Sequence, residues 1–209
     1  MEDYSYKIAS SLLKIGAVKF NFEEPYTWTS GIKSPVYCDN RLSLSYVEVR
    51  NLIKEAYVQV IQKNFSEPEV IAGVATGAIA QGALVADKLG LSFVYIRNEA
   101  KKCGLRNTIE GALEKGKRTI IIEDQISTGG SSIKVLKELR DAGANVLGMV
   151  ATLSYELPVA ENNFMENNCK LYTLSSFATL LDVAHKKGYI TKEELDKLHK
   201  WHKDPTKYI

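Results

Sequence analysis

The sequence is sparing with cysteine, and it has no long apolar run, no basic tract and no repeat. Cys38, Cys103 and Cys169 are scattered through 209 residues without a C-x-x-C pair, so neither a disulfide framework nor a zinc site is expected. The purely apolar runs are a few residues long, far short of a membrane span. Glu2 and Asp3 are unlike the basic opening of a secretory signal. These features point to a reducing cytoplasm and no membrane partner. With 27 basic against 25 acidic residues the charge nearly balances, and no basic stripe invites nucleic acid. What is present suits one globular core, with 45% hydrophobic and 25% charged residues. A single domain over 1–209 is expected, with a small N-terminal lobe over about 1–45 and a core beyond it.

Apolar positions Ile8, Leu12 and Ile15 mark a helix over 4–15, stopped at Gly16. An irregular stretch rich in turn formers and aromatics follows, YTWTSGIKSPVYCDNR. A second helix is expected from Ser45, where Glu48 completes a capping box, to about Lys63, burying Leu52, Ala56 and Val60. Past Pro68, short β-branched runs alternate with helical ones. Strands are expected at 70–75, 92–97, 118–124 and 145–153, with a fifth at 169–174. Helices fill 78–90 and 130–143, each closed by a glycine, and a last helix runs from a Thr191–Glu194 capping box to near Pro205. This alternation predicts an α/β fold, a mostly parallel sheet flanked by helices. The polar interval 98–117 breaks the rhythm. A connection this long is either a functional lid or a plain solvated loop.

The stretch Ile120 to Ser132, IIIEDQISTGGSS, carries the chemistry. A buried strand ends in Glu123 and Asp124, passes Gln125 and Ile126, and Ser127, Thr128, Gly129, Gly130 and Ser131 open a helix. Parallel α/β sheets bind ligands at the carboxyl ends of their strands. Glycines admit an anion close to the backbone, and unpaired amides at the helix start suit a phosphate monoester. The acid pair repels that phosphate unless it meets hydroxyls or a cation. The vicinal hydroxyls of a ribose and a magnesium ion on the same sugar phosphate meet that need. The residues therefore read as a ribose 5-phosphate site. The bland alternative is a strand–helix turn with a solvated acid pair.

This string resembles the phosphoribosyl-diphosphate signature of type I phosphoribosyltransferases over all thirteen positions. The segment from Trp28 to Arg41, with S-G-x-K-S-P-x-Y as its core, is similar to the base-binding hood of the orotate phosphoribosyltransferases. The resemblance implies the type I fold with an N-terminal hood and a flexible lid. It also implies that Tyr37 lies against a pyrimidine, with Lys33, Ser34 and Ser127 toward the base. Arg97, Lys101, Gly104, Glu110 and Gly111 match the family's lid, whereas Asn98 and Cys103 stand where lysine and histidine are usual. By the same likeness Lys101, Arg97 and Asp124 are catalytic, with Cys103 beside the donor. Residues 73–83 correspond to the pyrophosphate loop, which places Thr76 and Gly77 at the donor and implies a non-proline cis peptide. LSYEL at 153–157 lacks the arginine that the family often sets against the base carboxylate. The stretch from Leu180 to Pro205 is similar to the family's C-terminal helices.

The activity so implied moves ribose 5-phosphate from phosphoribosyl diphosphate to orotate, giving orotidine monophosphate and pyrophosphate in pyrimidine biosynthesis. Mg2+, held mainly through substrate and by Asp124, and a homodimer sharing its lids belong to the same implication. Rival readings stay open. A transferase for another base keeps the 120–132 stretch, and a non-catalytic phosphoribosyl-diphosphate sensor fits Asn98 and Cys103. A plain nucleotide-binding domain explains the loop but not the lid. His185, His199 and His202 read as surface residues, Trp28 as a packing anchor and Cys38 as a small apolar filler.

Overall fold

The computed structural model describes residues 4–28, 30–97 and 108–207. Helix α1 (Tyr4–Lys14) buries Ile8, Ala9, Leu12 and Leu13 along one face. It is followed by β1 (Val18–Phe20), β2 (Tyr26–Thr27), β3 (Lys33–Ser34) and β4 (Val36–Cys38). The first of these pairs with the fourth and the second with the third, both antiparallel, which makes the hood. A 3-10 turn over Asn40–Ser45 leads into α2 (Val47–Asn64).

The expected capping box at Ser45 does not form. Residues 40–45 are already wound into the 3-10 turn, capped by the Asp39 side chain, which accepts from the Arg41 amide at 3.1 Å. Extended Tyr46 then starts the helix without a side-chain cap, so Glu48 falls in the first turn. The buried face centres on Ile53, Ala56, Tyr57 and Ile61, with Leu52 and Val60 at its margins.

The body of the fold continues with β5 (Val70–Val74), α3 (Ile79–Leu89), β6 (Ser92–Ile96) and β7 (Ile109–Glu110). Then come β8 (Arg118–Ile126), α4 (Gly130–Asp141), β9 (Asn145–Ser154) and α5 (Pro158–Glu166). The last elements are β10 (Leu171–Ser176), α6 (Phe177–Lys186) and α7 (Lys192–Lys203). One sheet has the order β10-β9-β8-β5-β6-β7, parallel throughout except for β7. Ile71, Ile120, Ile121 and Ile122 have no exposed surface, because helices cover both sheet faces.

Three further departures have local causes. The 98–117 interval is not all irregular: residues 109–110 return as an antiparallel edge strand, with Tyr95 opposite Glu110. The fifth expected strand starts two residues later, where pairing of Leu171 with Met149 begins. Helix α5 went unpredicted, although Pro158 at its first turn was a usable signal. At the C-terminus the Thr191–Glu194 capping box is present as expected. Helix α7 holds the hood down: the Trp201 indole donates to Lys33 O at 2.9 Å, and Trp28 packs on Tyr155 and Trp201 at 4.5 and 5.5 Å. Trp28 is thus the anchor the sequence suggested. His199 is exposed, whereas His202 is half-buried against Phe177, with Nε2 2.6 Å from Tyr155 O.

Candidate active site

The site begins as a step in the sheet. Strand β8 pairs with β9 as far as Ile126, two residues past its expected end, but with β5 only as far as Ile122. Beyond that point side chains cap the carbonyls of the acid pair. Asn40 Nδ2 donates to Asp124 O at 2.7 Å, and the Tyr57 hydroxyl donates to Glu123 O at 2.6 Å. Tyr57 has one proton, so Thr152 Oγ1 at 2.7 Å donates to it. Hood, α2 and sheet are thereby tied together at the residues of interest.

Above the step lies a pocket of about 280 Å³, lined by Tyr37, Cys38, Asp39, Arg41, Thr76, Gly77, Asp124 and Gln125. The loop from β5 to α3 runs so close that a Cβ on Gly77 would overlap the Asp124 carboxylate. The Ala75–Thr76 peptide in that loop is cis, as the resemblance implied. Asp124 also accepts from the Gln125 amide at 2.8 Å, and Gln125 Oε1 is buried without a partner among the described residues. Tyr37 is half-buried, with Tyr26 tilted against it at 5.4 Å.

Next to this pocket β8 gives way to α4. Gly129, with φ of 77°, is the N-cap and brings no side chain to the helix start. The first backbone bond joins Ile133 N to Gly129 O at 2.9 Å, so the amides of Gly130, Ser131 and Ser132 precede the helical ladder. Thr128 O is held by Asn163 Nδ2 at 2.8 Å. An open turn of amides at a helix start, beside a half-exposed Asp124, suits a phosphorylated sugar. A larger cavity of about 390 Å³ involves Glu138 and Asp141 at the other end of α4. There the helix dipole and both acids disfavour an anion.

A phosphoribosyl transferase domain matches residues 45–163. The chain is 49% identical to an orotate phosphoribosyltransferase of Porphyromonas gingivalis over 95% of its own length and 94% of that protein's. The chain belongs to the orotate phosphoribosyltransferase family. Among solved structures, it resembles the Aeropyrum pernix orotate phosphoribosyltransferase with a TM-score of 0.75 and 26% identity, over 88% of this chain and 99% of that one. It also resembles Leishmania donovani UMP synthase with a TM-score of 0.82 and 25% identity, covering 95% of this chain but 42% of that one.

Not every residue singled out by the family likeness reaches the pocket. Ser34 has no exposed surface, and its hydroxyl donates to Val36 O and accepts from Val36 N. Lys33 is exposed on the hood, outside the pocket lining. Cys38 lines the pocket but is 1% exposed; burial pushes its thiol far up, and Sγ donates to Asn40 Oδ1 at 3.2 Å, as befits a filler. Arg97 follows the end of β6, its Nε 3.7 Å from an oxygen of Glu110 on β7. Lys101, Cys103, Asn98 and Gly104 lie outside the described residues. Asp39, Asn40, Arg41 and Tyr57 carried no role in the sequence, although the Trp28–Arg41 segment ran through three of them.

Glu123 differs most from expectation. It is 4% exposed, with Ser132 Oγ donating to Oε2 at 2.9 Å and the Asp124 amide to Oε1 at 3.0 Å. Its carboxylate is thus engaged with protein while Asp124 faces the pocket. Burial first, and the neighbouring Asp124 second, push the Glu123 carboxyl well above the usual carboxylate range. Folding therefore favours its protonated form. The associated stability is full below the unfolded value near 4.5 and is lost as pH rises toward the raised folded value. Glu123→Gln keeps the shape without the charge. Its melting temperature should exceed that of the parent at pH 8 by roughly 3 °C or more, with the difference vanishing near pH 4. An equal difference at both pH values would show that the raised carboxyl is not its source.

Proposed function

We propose that this protein transfers ribose 5-phosphate from 5-phosphoribosyl 1-diphosphate to orotate, yielding orotidine 5′-monophosphate and pyrophosphate for pyrimidine synthesis. The observation that carries the reading is the adjacency of Asp124, the turn of residues 128–131 that opens α4 and the Thr76–Gly77 loop. Amides take the 5-phosphate, and the Asp124 carboxylate accepts from the ribose hydroxyls. Tyr37 presents a flat surface for the pyrimidine at the hood, and Ser127 lies between base and phosphate. As the C1–O bond breaks, its electron pair leaves with pyrophosphate, and the anionic ring nitrogen of orotate forms the new C1–N bond. Positioning and charge complementarity supply most of the acceleration, since this nucleophile needs no strong base.

Asp124 offers the oxygen donors that a hard divalent ion such as Mg2+ prefers. The family likeness implies that the ion is held mainly through the substrate. Such an ion neutralises charge on the diphosphate. Lys101 and Arg97 add cationic charge there, and the lid that bears Lys101 excludes water from the activated sugar. By family likeness the working unit is a homodimer whose lids reach the neighbouring pocket. No described helix is long and apolar enough to cross a membrane, and the buried free thiols Cys38 and Cys169 suit a reducing cytoplasm.

Orotate absorbs in the ultraviolet, and its loss on adding donor and Mg2+ tests the reading. Turnover with orotate and none with adenine or hypoxanthine is expected, whereas a purine preference would reassign the base. Asp124→Asn should weaken donor binding about tenfold in calorimetry, roughly the loss of one charge-assisted hydrogen bond; unchanged affinity would remove Asp124 from the sugar clamp. Lys101→Ala should cut kcat about 100-fold or more with donor affinity largely kept. Near-normal turnover in that variant would exclude its role at the leaving group.

A further inference from the structure

The pocket between the hood and the 76–77 loop holds a cation to which the sequence reading gave no task. Arg41 is the one basic side chain in that lining among the described residues. Its Nε lies 2.7 Å from Asp39 Oδ1, and Nη2 lies 2.9 Å from Asp39 Oδ2. This two-point contact fixes the guanidinium plane and uses two of its five N–H donors. Three donors remain, two of them on the edge shared by Nη1 and Nη2. That edge has the fork geometry that receives a phosphate oxygen pair.

The direction in which the sugar must lie decides which anion arrives. With the 5-phosphate on residues 128–131 and the ring hydroxyls at Asp124, the substituent on C1 extends from the opposite end of the ribose. Past Asp124 from the phosphate loop, the space that opens is this pocket, floored by Thr76 and Gly77, whose lack of a side chain keeps it open. We propose that Arg41 is a fixed cation for the diphosphate of the donor, held in place by Asp39 and independent of the lid. This rests on the transferase reading above. It also accounts for how the chain manages with Asn98 and Cys103 in its lid: part of the cationic charge sits on the hood.

Arg41→Ala tests this in the full-length protein. The side chain of Arg41 is 55% exposed and its pair with Asp39 lies at the surface, so folding should be unaffected. Calorimetry with inorganic pyrophosphate and Mg2+ should show affinity reduced about tenfold or more, and KM for phosphoribosyl diphosphate should rise alike. KM for orotate should stay within about twofold, and Arg41→Lys should recover part of the pyrophosphate affinity. Unchanged pyrophosphate affinity would overturn the assignment. So would a loss confined to the orotate KM, which would place the base carboxylate on Arg41 instead. If the parent protein fails to consume orotate at all, the transferase reading fails, and that result is distinct from either outcome in the variant.

Discussion

Gly77→Ala is expected to lower kcat/KM for the phosphoribosyl donor by about 100-fold or more while the protein stays folded. A methyl group at this position cannot share space with the Asp124 carboxylate, so the acid or the loop must move. Asp124 is constrained on its own side by the Asn40 bond to its carbonyl and by the Gln125 amide on its carboxylate. The loop yields more easily, and its displacement shifts the floor on which the diphosphate rests. A hundredfold loss corresponds to about 2.8 kcal/mol of transition-state stabilisation, within reach of an ångström-scale misplacement. Steady-state kinetics at varied donor concentration check this, with a thermal melt to show the fold intact. Parent-like kcat/KM would mean that the loop and Asp124 do not act together on the donor.

Gly129→Ala should be nearly as damaging and should cost stability as well. Its φ of 77° is left-handed, which penalises an L side chain by about 1–2 kcal/mol. An added Cβ also comes within 3.1 Å of the Phe164 ring, which is packed in the core at 4% exposure. Relaxing either strain tilts the first turn of α4, whose amides face the ligand. A melting temperature lower by roughly 4–8 °C is expected for about 2 kcal/mol in a chain of this size. Affinity for ribose 5-phosphate should fall about tenfold in parallel. Loss of stability with ribose 5-phosphate affinity intact would separate this turn from the phosphate site.

How much of this was readable in the chain depends on the range of the interaction. The strands β5, β6, β8 and β9 announce themselves through β-branched runs, and the phosphate loop is a contiguous string, so both were legible locally. Boundaries shifted where a partner strand decided them, as at Ile126 and Leu171. The Ser45 capping box failed because Asp39, a few residues earlier, had already captured the turn. The bonds from Asn40 to Asp124 and from Tyr57 to Glu123 join residues 84 and 66 positions apart, and no period or spacing encodes them. Ser34 matched a family pattern, yet the turn at Pro35 spends its hydroxyl on Val36. The two acids looked equivalent side by side. Strand alternation sends one inward to Ser132 and the other to the pocket.

A crystal structure with phosphoribosyl diphosphate and Mg2+ bound puts the whole scheme to its most direct trial. The 5-phosphate should sit on the amides of residues 128–131, with the ring hydroxyls at Asp124 and the diphosphate over Thr76 and Gly77, facing Arg41. A donor found in the cavity beside Glu138 and Asp141, with the start of α4 bare, would contradict it.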